Sequence, residues 1–373
     1  MNIKNKSFLR ILVLVIIISL VLTLLLTTLN ATISALAESP DYYTIYNENN
    51  EEICKRGEEI EVGDSYISYD NKKYKIVEID ENKNCKAQYV EDVKLPNITM
   101  ETGLLEVQIN EKRAGLYITH NDESYIPSDG VESIYGAGGI HDVARAFKIA
   151  LQNEGFIVEL DETLHLPHDN LAYRRSRTTA DRIMKEFNPD VLFDIHRNGA
   201  PASLYETTVG GVPMSKVRMV VGQGNSNFEE NYQFALEIKA LADEWYPGLI
   251  NDIYIGARDY NQDLSPQALL IEFGSQATSK EDAIKSTVPF ANVINGVLQR
   301  RGVSGAFFEK PPATIMVNTE NGVTEINTIF LTQLVFGSVI FILLIISLIN
   351  KKLRKKIKQN FYEIKKGVLY RKN

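Results

Sequence analysis

The sequence contains few of the residues that are typical of small disulfide-rich or fibrous proteins. Its 373 residues include only two cysteines, Cys54 and Cys85, and one tryptophan. Two cysteines are too few for a fold held by several disulfide bonds, and 44% hydrophobic residues are too many for a disordered chain. The composition is that of a globular protein, and the length suggests two or three domains. Whether the two cysteines pair or stay free thiols is left open.

Basic residues are scarce in the middle of the chain and concentrated at its ends. The net charge is −8, yet residues 1–10 carry three basic side chains and no acid. Residues 351–373 carry ten basic side chains and one acid, Glu363. The residues between these basic ends are therefore strongly acidic. Such an acidic body lacks the basic face that phosphate binding needs, which excludes nucleic acid as a partner.

Two long hydrophobic runs, 11–29 and 329–349, are typical of membrane proteins. Nineteen apolar residues nearly match the thickness of a bilayer core, although a signal peptide cleaved near Ala35–Ala37 is the alternative for the first run. The basic cluster after the second run belongs on the cytoplasmic side. We therefore expect a cell-membrane protein with an extracytoplasmic body. The predicted segments are cytoplasmic residues 1–10, an anchor at 11–29, a tether at 304–328, a second transmembrane helix at 329–349 and a basic cytoplasmic tail at 350–373.

Between these segments the sequence predicts two folded regions. Residues 41–95 have the pattern of a small β module, with short strands at 42–46, 59–62, 66–69 and 74–79. No chemistry is expected in this module. Residues 111–303 alternate strand and helix, which indicates an α/β domain whose sheet has helices on both faces.

Three polar residues stand at the ends of predicted strands in the α/β domain. His120 follows an apolar strand, His196 follows Val191–Ile195, and Glu272 follows Ala268–Ile271. Ligands of open α/β sheets bind beyond the carboxyl ends of strands, so these side chains are expected to converge there.

Two imidazoles and a carboxylate predict metal-assisted hydrolysis. Catalytic zinc takes three protein ligands and keeps one position open. His120 and His196 would be two of these ligands, with Glu132 as first choice for the third and Glu123 as the alternative. Glu272 would then act as base and acid. A non-catalytic membrane scaffold and another type of metallohydrolase remain alternatives, because the histidines form no compact motif.

Five motifs together resemble the stage II sporulation protein P family. They are Thr119–Tyr125, Arg175–Thr178, Phe193–Asn198, Tyr260–Ser265 and Leu270–Gly274. The family is similar to zinc-dependent N-acetylmuramoyl-L-alanine amidases, which use His, Glu and His on zinc and a further Glu near the end of a late strand. The resemblance implies a peptidoglycan hydrolase of forespore engulfment, an amidase with possible endopeptidase activity, that acts with stage II sporulation proteins D and M.

The resemblance also implies roles for individual residues. His120 and His196 take the two histidine positions on Zn²⁺, Glu132 lies about where the ligand Glu falls, and Glu272 takes the place of the catalytic carboxylate. Arg197 could hold a peptide carboxylate, since Arg suits that geometry. The neighbourhoods of Arg177 and Asn261 are expected to line the substrate groove.

Overall fold

The structure is a computed structural model that describes residues 42–97, 111–169 and 171–302. Strands outnumber helices among these residues. The strands are β1 (Tyr43–Tyr46), β2 (Glu52–Arg56), β3 (Ser65–Ile67), β4 (Lys72–Ile79), β5 (Asn84–Asp92), β6 (Lys112–Tyr117), β7 (Phe156–Asp161), β8 (Val191–Asn198), β9 (Glu206–Val209), β10 (Val212–Ser215), β11 (Val217–Gly222), β12 (Ile250–Gly256) and β13 (Ala268–Ser275). The α-helices are α1 (Ile126–Asp129), α2 (Ile140–Asn153), α3 (Ala172–Arg182), α4 (Phe228–Trp245) and α5 (Lys280–Gly302).

Eleven of these strands form one mixed sheet in the order β2-β1-β5-β4-β3-β12-β11-β13-β8-β6-β7. Strands β6, β8 and β13 are neighbours and run parallel, so their carboxyl ends meet at one edge. Strands β9 and β10 form a separate hairpin.

Successive residues of the central strands face opposite sides of the sheet, as the pleat requires. On β8, Phe193 and Ile195 belong to the large core cluster that also contains buried residues of α2, α4 and α5. Leu192 belongs to a smaller cluster with Ala180 of α3. Helix α2 contributes Val143, Phe147, Ala150 and Leu151, which recur at helical spacing and are all buried. Both faces of the sheet are thereby covered.

The fold class predicted from the sequence is wrong in how it separates the β strands from the α/β domain. Strands β1 to β5 do not form a module ahead of the sheet; they extend it, because β3 pairs antiparallel with β12. Without β3, strand β12 would be an edge strand with a row of unpaired backbone groups. The predicted strand at 59–62 is a loop, and the sequence analysis missed β2 and β5.

Among the described residues, the structure shows no counterpart to the flanking transmembrane helices of that fold class. No helix among the described residues is long and apolar enough to cross a membrane. The predicted spans 11–29 and 329–349, the tether and both charged ends lie outside the described residues. The two cysteines are buried and free, in agreement with the open alternative of unpaired thiols.

Asp64 fixes the junction between the N-terminal strands and β12. Its side chain is buried and accepts hydrogen bonds from the Tyr254 hydroxyl and from the backbone N–H of Ala257, the latter at 2.9 Å. We expect Asp64→Ala to lower the free energy of unfolding by about 1–3 kcal/mol, because it strands buried donors. The change is measurable by urea denaturation. Glu78→Ala, which removes an exposed ion pair to Lys86, is the control and should change it by less than about 1 kcal/mol; equal losses would contradict this account.

Candidate metal centre and active site

Two histidines meet at the carboxyl edge of β6, β8 and β13. His120 lies three residues beyond β6, and His196 lies within β8. Their ring centroids are 4.9 Å apart, and both side chains are almost completely buried. Glu272 on β13 stands directly opposite His196 in the parallel register. The parallel strands therefore bring the three residues to one edge of the sheet.

Glu123 lies between the two histidines. Its Oε1 is 3.5 Å from Nδ1 of His120 and 3.3 Å from Nδ1 of His196. The backbone N–H of Arg197 donates to Oε2 at 2.9 Å and fixes the carboxylate. Zinc bonds of about 2.0–2.2 Å in a tetrahedron place donor atoms about 3.3–3.6 Å apart. Both distances from the Glu123 oxygen to the histidine nitrogens thus match the spacing of two ligands on one zinc ion.

Glu132, the first choice for the third ligand, does not join this cluster. Glu132 is exposed to solvent. Its backbone carbonyl accepts hydrogen bonds from the N–H of Ser124 and the guanidinium of Arg197. An antiparallel bridge pairs Glu123 with Ser133 and leaves the Glu132 side chain in solvent. Correcting the first choice, the structure brings Glu123, the alternative, to the histidines.

The protonation of the histidines fits a metal cation. Burial lowers the pKa of His120, which favours the neutral ring that a metal needs. Its buried Nδ1 has no hydrogen-bond partner among the described residues. Burial also acts to lower the pKa of His196, but Asp194 and Glu123 outweigh it and raise that pKa well above its usual value. The same negative charges would attract a metal ion in place of the proton.

A second candidate set of donors replaces His196 with His168. The two imidazole rings of His120 and His168 stack with centroids 3.8 Å apart. However, Nδ1 of His168 is 2.9 Å from the carboxylate of Asp122, and 40% of its side chain is exposed. A carboxylate bond on the other ring nitrogen is typical of metal-bound histidines, so burial decides: His196 is almost completely buried, and we favour His120, Glu123 and His196.

Glu272 is held by two arginines rather than exposed to the cavity. Nη1 of Arg56 is 3.0 Å from Oε1, and Nη1 of Arg218 is 3.6 Å from Oε2. Burial raises the pKa of Glu272, and the two arginines oppose this increase. The carboxylate is thus a buried base whose charge depends on its arginine partners.

The sequence analysis missed Arg56 and Glu58, which reach the site from β2 and the residues after it. Arg56 pairs with Glu58 as well as with Glu272. Oε1 of Glu58 accepts a hydrogen bond from the Tyr173 hydroxyl at 2.9 Å and lies 3.8 Å from Nδ1 of His120. No local signal marks these residues, because their partners are far away in the sequence.

A cavity of about 360 Å³ opens over the histidines. Its lining includes Glu58, His120, Glu123, His168, Tyr173 and Arg197. Because the metal-site residues His120 and Glu123 face it, a substrate in this cavity could reach the metal position.

The three residues expected to bind substrate have structural partners of their own. Arg177 forms a two-pronged ion pair with Asp263, with Nη2 to Oδ2 at 2.7 Å, and lines a neighbouring cavity of about 570 Å³. Asn261 is buried, lines the same cavity and donates to the carbonyl of Tyr173 at 3.1 Å. Arg197 donates from Nε to the carbonyl of Ser124 at 3.0 Å. Arg197 therefore organises the loop that carries Glu123.

An α/β sheet that gathers two histidines and a carboxylate beside a cavity at its carboxyl edge defines a candidate hydrolase. Comparison with protein families identifies which one: the model of the stage II sporulation protein P (SpoIIP) family matches residues 23–295. The chain belongs to this family.

Individual relatives are more distant. Stage II sporulation protein P of Bacillus subtilis (strain 168) is 29% identical over 204 residues, which are 50% of this chain and 51% of that protein. The chain thus matches about half the length of this relative. The CwlD amidase of Clostridioides difficile, solved in complex with the GerS lipoprotein, is 14% identical, with a TM-score of 0.35. The match covers 51% of this chain and 98% of the amidase chain. An N-acetylmuramoyl-L-alanine amidase from Clostridium difficile 630 is 15% identical with a TM-score of 0.32, covering 51% and 96%.

Proposed function

We propose that the chain is a zinc-dependent N-acetylmuramoyl-L-alanine amidase that cleaves peptidoglycan during sporulation. The observation that carries this proposal is the position of the Glu123 carboxylate, 3.5 Å from His120 and 3.3 Å from His196, at a cavity that His120 and Glu123 line. Membership of the SpoIIP family also supports peptidoglycan as the substrate. The peptidoglycan lies outside the cytoplasm, and we propose that the domain works there. Stage II sporulation proteins D and M stay predicted partners.

His120, Glu123 and His196 would hold the zinc ion. When bound, zinc would polarise the amide carbonyl between muramic acid and L-Ala and lower the pKa of an attacking water. Arg197 keeps Glu123 in place through its backbone N–H. Tyr173 lines the cavity beside His120 and helps to exclude water from one side of it.

Glu272 is the proposed proton carrier. Burial raises its pKa, which suits a group that must accept and then return a proton. Oε1 is taken by Arg56 at 3.0 Å. The nearest donors to Oε2, the Tyr205 hydroxyl and Arg218, lie at 3.5 and 3.6 Å, which is long for a hydrogen bond. Oε2 is therefore the atom that would take the proton.

Digestion of isolated peptidoglycan by the full chain with zinc, read by mass spectrometry, tests this proposal. We expect release of free stem peptides that begin with L-Ala. His196→Ala should lower the rate at least about 100-fold, as loss of one essential catalytic interaction does. His141→Gln is the control, since His141 pairs with Glu162 away from the cavity, and it should keep the activity.

Other products would point elsewhere. Uncrosslinked muropeptides that still carry their sugars would make the protein an endopeptidase. No product from a chain that binds zinc and peptidoglycan would favour the non-catalytic scaffold.

A further inference from the structure

A fourth side chain, which is acidic, stands at the candidate metal centre and comes from the N-terminal strands. Glu58 follows β2, whereas His120, Glu123 and His196 all belong to the α/β part of the sheet. One oxygen or ring nitrogen from each of Glu58, His120 and His196 lies within 4.8 Å of the others. The Glu58 carboxylate therefore faces the same point as the histidines.

The distances give Glu58 a definite position in this cluster. Glu123 is 3.5 Å from Nδ1 of His120, and Oε1 of Glu58 is 3.8 Å from the same nitrogen. If His120, Glu123 and His196 take three corners of a zinc tetrahedron, Glu58 is a further carboxylate within reach of both histidines for the fourth. Catalytic zinc sites keep that corner free for water or substrate, whereas structural sites fill it with protein.

The segment that carries Glu58 is fastened to the site by its backbone. Asn198, at the end of β8, accepts from the N–H of Gly57 at 3.2 Å and donates to the carbonyl of Lys55 at 3.1 Å. Gly57 also packs on Gly199 so tightly that a Cβ placed on Gly57 would lie 2.7 Å from the Cα of Gly199. Only glycine fits here, and the segment is thus built to lie at this distance from β8.

Side chains hold the carboxylate at both of its oxygens. The Tyr173 hydroxyl donates to Oε1 at 2.9 Å, and the Arg56 guanidinium pairs with Oε2. Arg56 in turn is 3.0 Å from the carboxylate of Glu272. One buried guanidinium therefore connects Glu58 to the proposed proton carrier.

We propose that Glu58 is the fourth protein ligand of the metal, so that this structure is a closed form: the cavity is open to substrate, but the coordination position that catalysis needs is taken. The proposal rests on the proposed function for its metal but adds that the N-terminal strands restrain the enzyme. Opening requires that the segment 55–58 leave β8. Loss of the Glu58 carboxylate should then weaken metal binding and, at saturating zinc, speed hydrolysis.

Zinc affinity of the full chain, measured by competition with a chromogenic chelator, tests the proposal without activity. Glu58→Gln should weaken zinc binding at least about 10-fold, since even groups that only support a ligand contribute about 10- to 100-fold. Glu52→Gln is the matched control, because Glu52 lies on β2, the strand just before Glu58, in a partly exposed pair with Lys55. It should bind zinc as the parent chain does. Unchanged affinity in Glu58→Gln would overturn the proposal.

The rate of peptidoglycan release at saturating zinc gives the second readout. Glu58→Gln should be faster than the parent chain; a slower variant would overturn the closed form and make Glu58 a group that the reaction needs. If the parent chain binds zinc but neither protein releases product, the proposed function fails while the affinity comparison still decides the ligand.

A second variant guards against misfolding of the first. Gly57→Ala keeps the carboxylate but forces the segment away from Gly199. It should also weaken zinc binding and raise the rate. Parent-like values for Gly57→Ala in both measurements would contradict the proposed restraint.

Discussion

Zinc binding and peptidoglycan hydrolysis are expected to be lost together when Glu123 is replaced by glutamine. The carboxylate is 3.3 Å from His196 and 3.5 Å from His120, and it supplies negative charge to a site that must hold a divalent cation. Burial acts to raise its pKa, but the charge of His196 and hydrogen bonds with both histidines outweigh burial and keep that pKa well below the usual range, so the carboxylate is ionised. A neutral amide of the same shape removes the charge without leaving a cavity. We expect zinc affinity to fall by more than about 100-fold, beyond the loss typical of supporting groups.

Glu132→Gln is the control for this variant, because the sequence favoured Glu132 as ligand. Its side chain is exposed, and only its backbone carbonyl takes part in the site. The substitution keeps that carbonyl and should change stability by less than about 0.5 kcal/mol, with parent-like zinc affinity. A chain that loses zinc with Glu132→Gln and keeps it with Glu123→Gln would reverse the assignment.

Arg56→Met is expected to destabilise the fold by about 3–5 kcal/mol. Arg56 is fully buried between the carboxylates of Glu58 and Glu272, and a buried pair that loses one partner leaves an uncompensated charge. The free energy of unfolding from urea titration of the full chain measures the loss. Combining Arg56→Met with Glu272→Gln should recover part of it, since the second change removes one of the stranded charges.

Arg145→Met is the control for the burial argument. Arg145 also pairs with two acids, Asp142 and Glu162, but 54% of its side chain is exposed. Exposed ion pairs contribute at most about 1 kcal/mol each, so a small loss is expected. Similar losses in the two variants would mean that burial of Arg56 has no special cost.

The order of strands and helices in the α/β part could be predicted from hydrophobic periodicity. The predicted strand at 191–195 corresponds to β8, Val191–Asn198, and that at 268–271 to β13, Ala268–Ser275. The placement of His120, His196 and Glu272 followed from the same pattern, because each comes at or after the end of an apolar strand. These features depend on neighbouring residues, which a sequence displays directly.

The N-terminal strands could not be joined to the sheet in the same way. Pairing of β3 with β12 connects residues nearly 190 positions apart, and no periodicity encodes that partner. Arg56 and Glu58 were missed for this reason, since their chemistry exists only once β2 lies beside the site. The choice between Glu132 and Glu123 depends on a local detail that the sequence does not display, the bridge between Glu123 and Ser133.

Anomalous diffraction at the zinc edge, from crystals of the full chain loaded with zinc, tests the metal centre most directly. The account predicts one peak enclosed by Nδ1 of His120, the Glu123 carboxylate and Nδ1 of His196. A peak bound by His168 in place of His196, or none at saturating zinc, would contradict it.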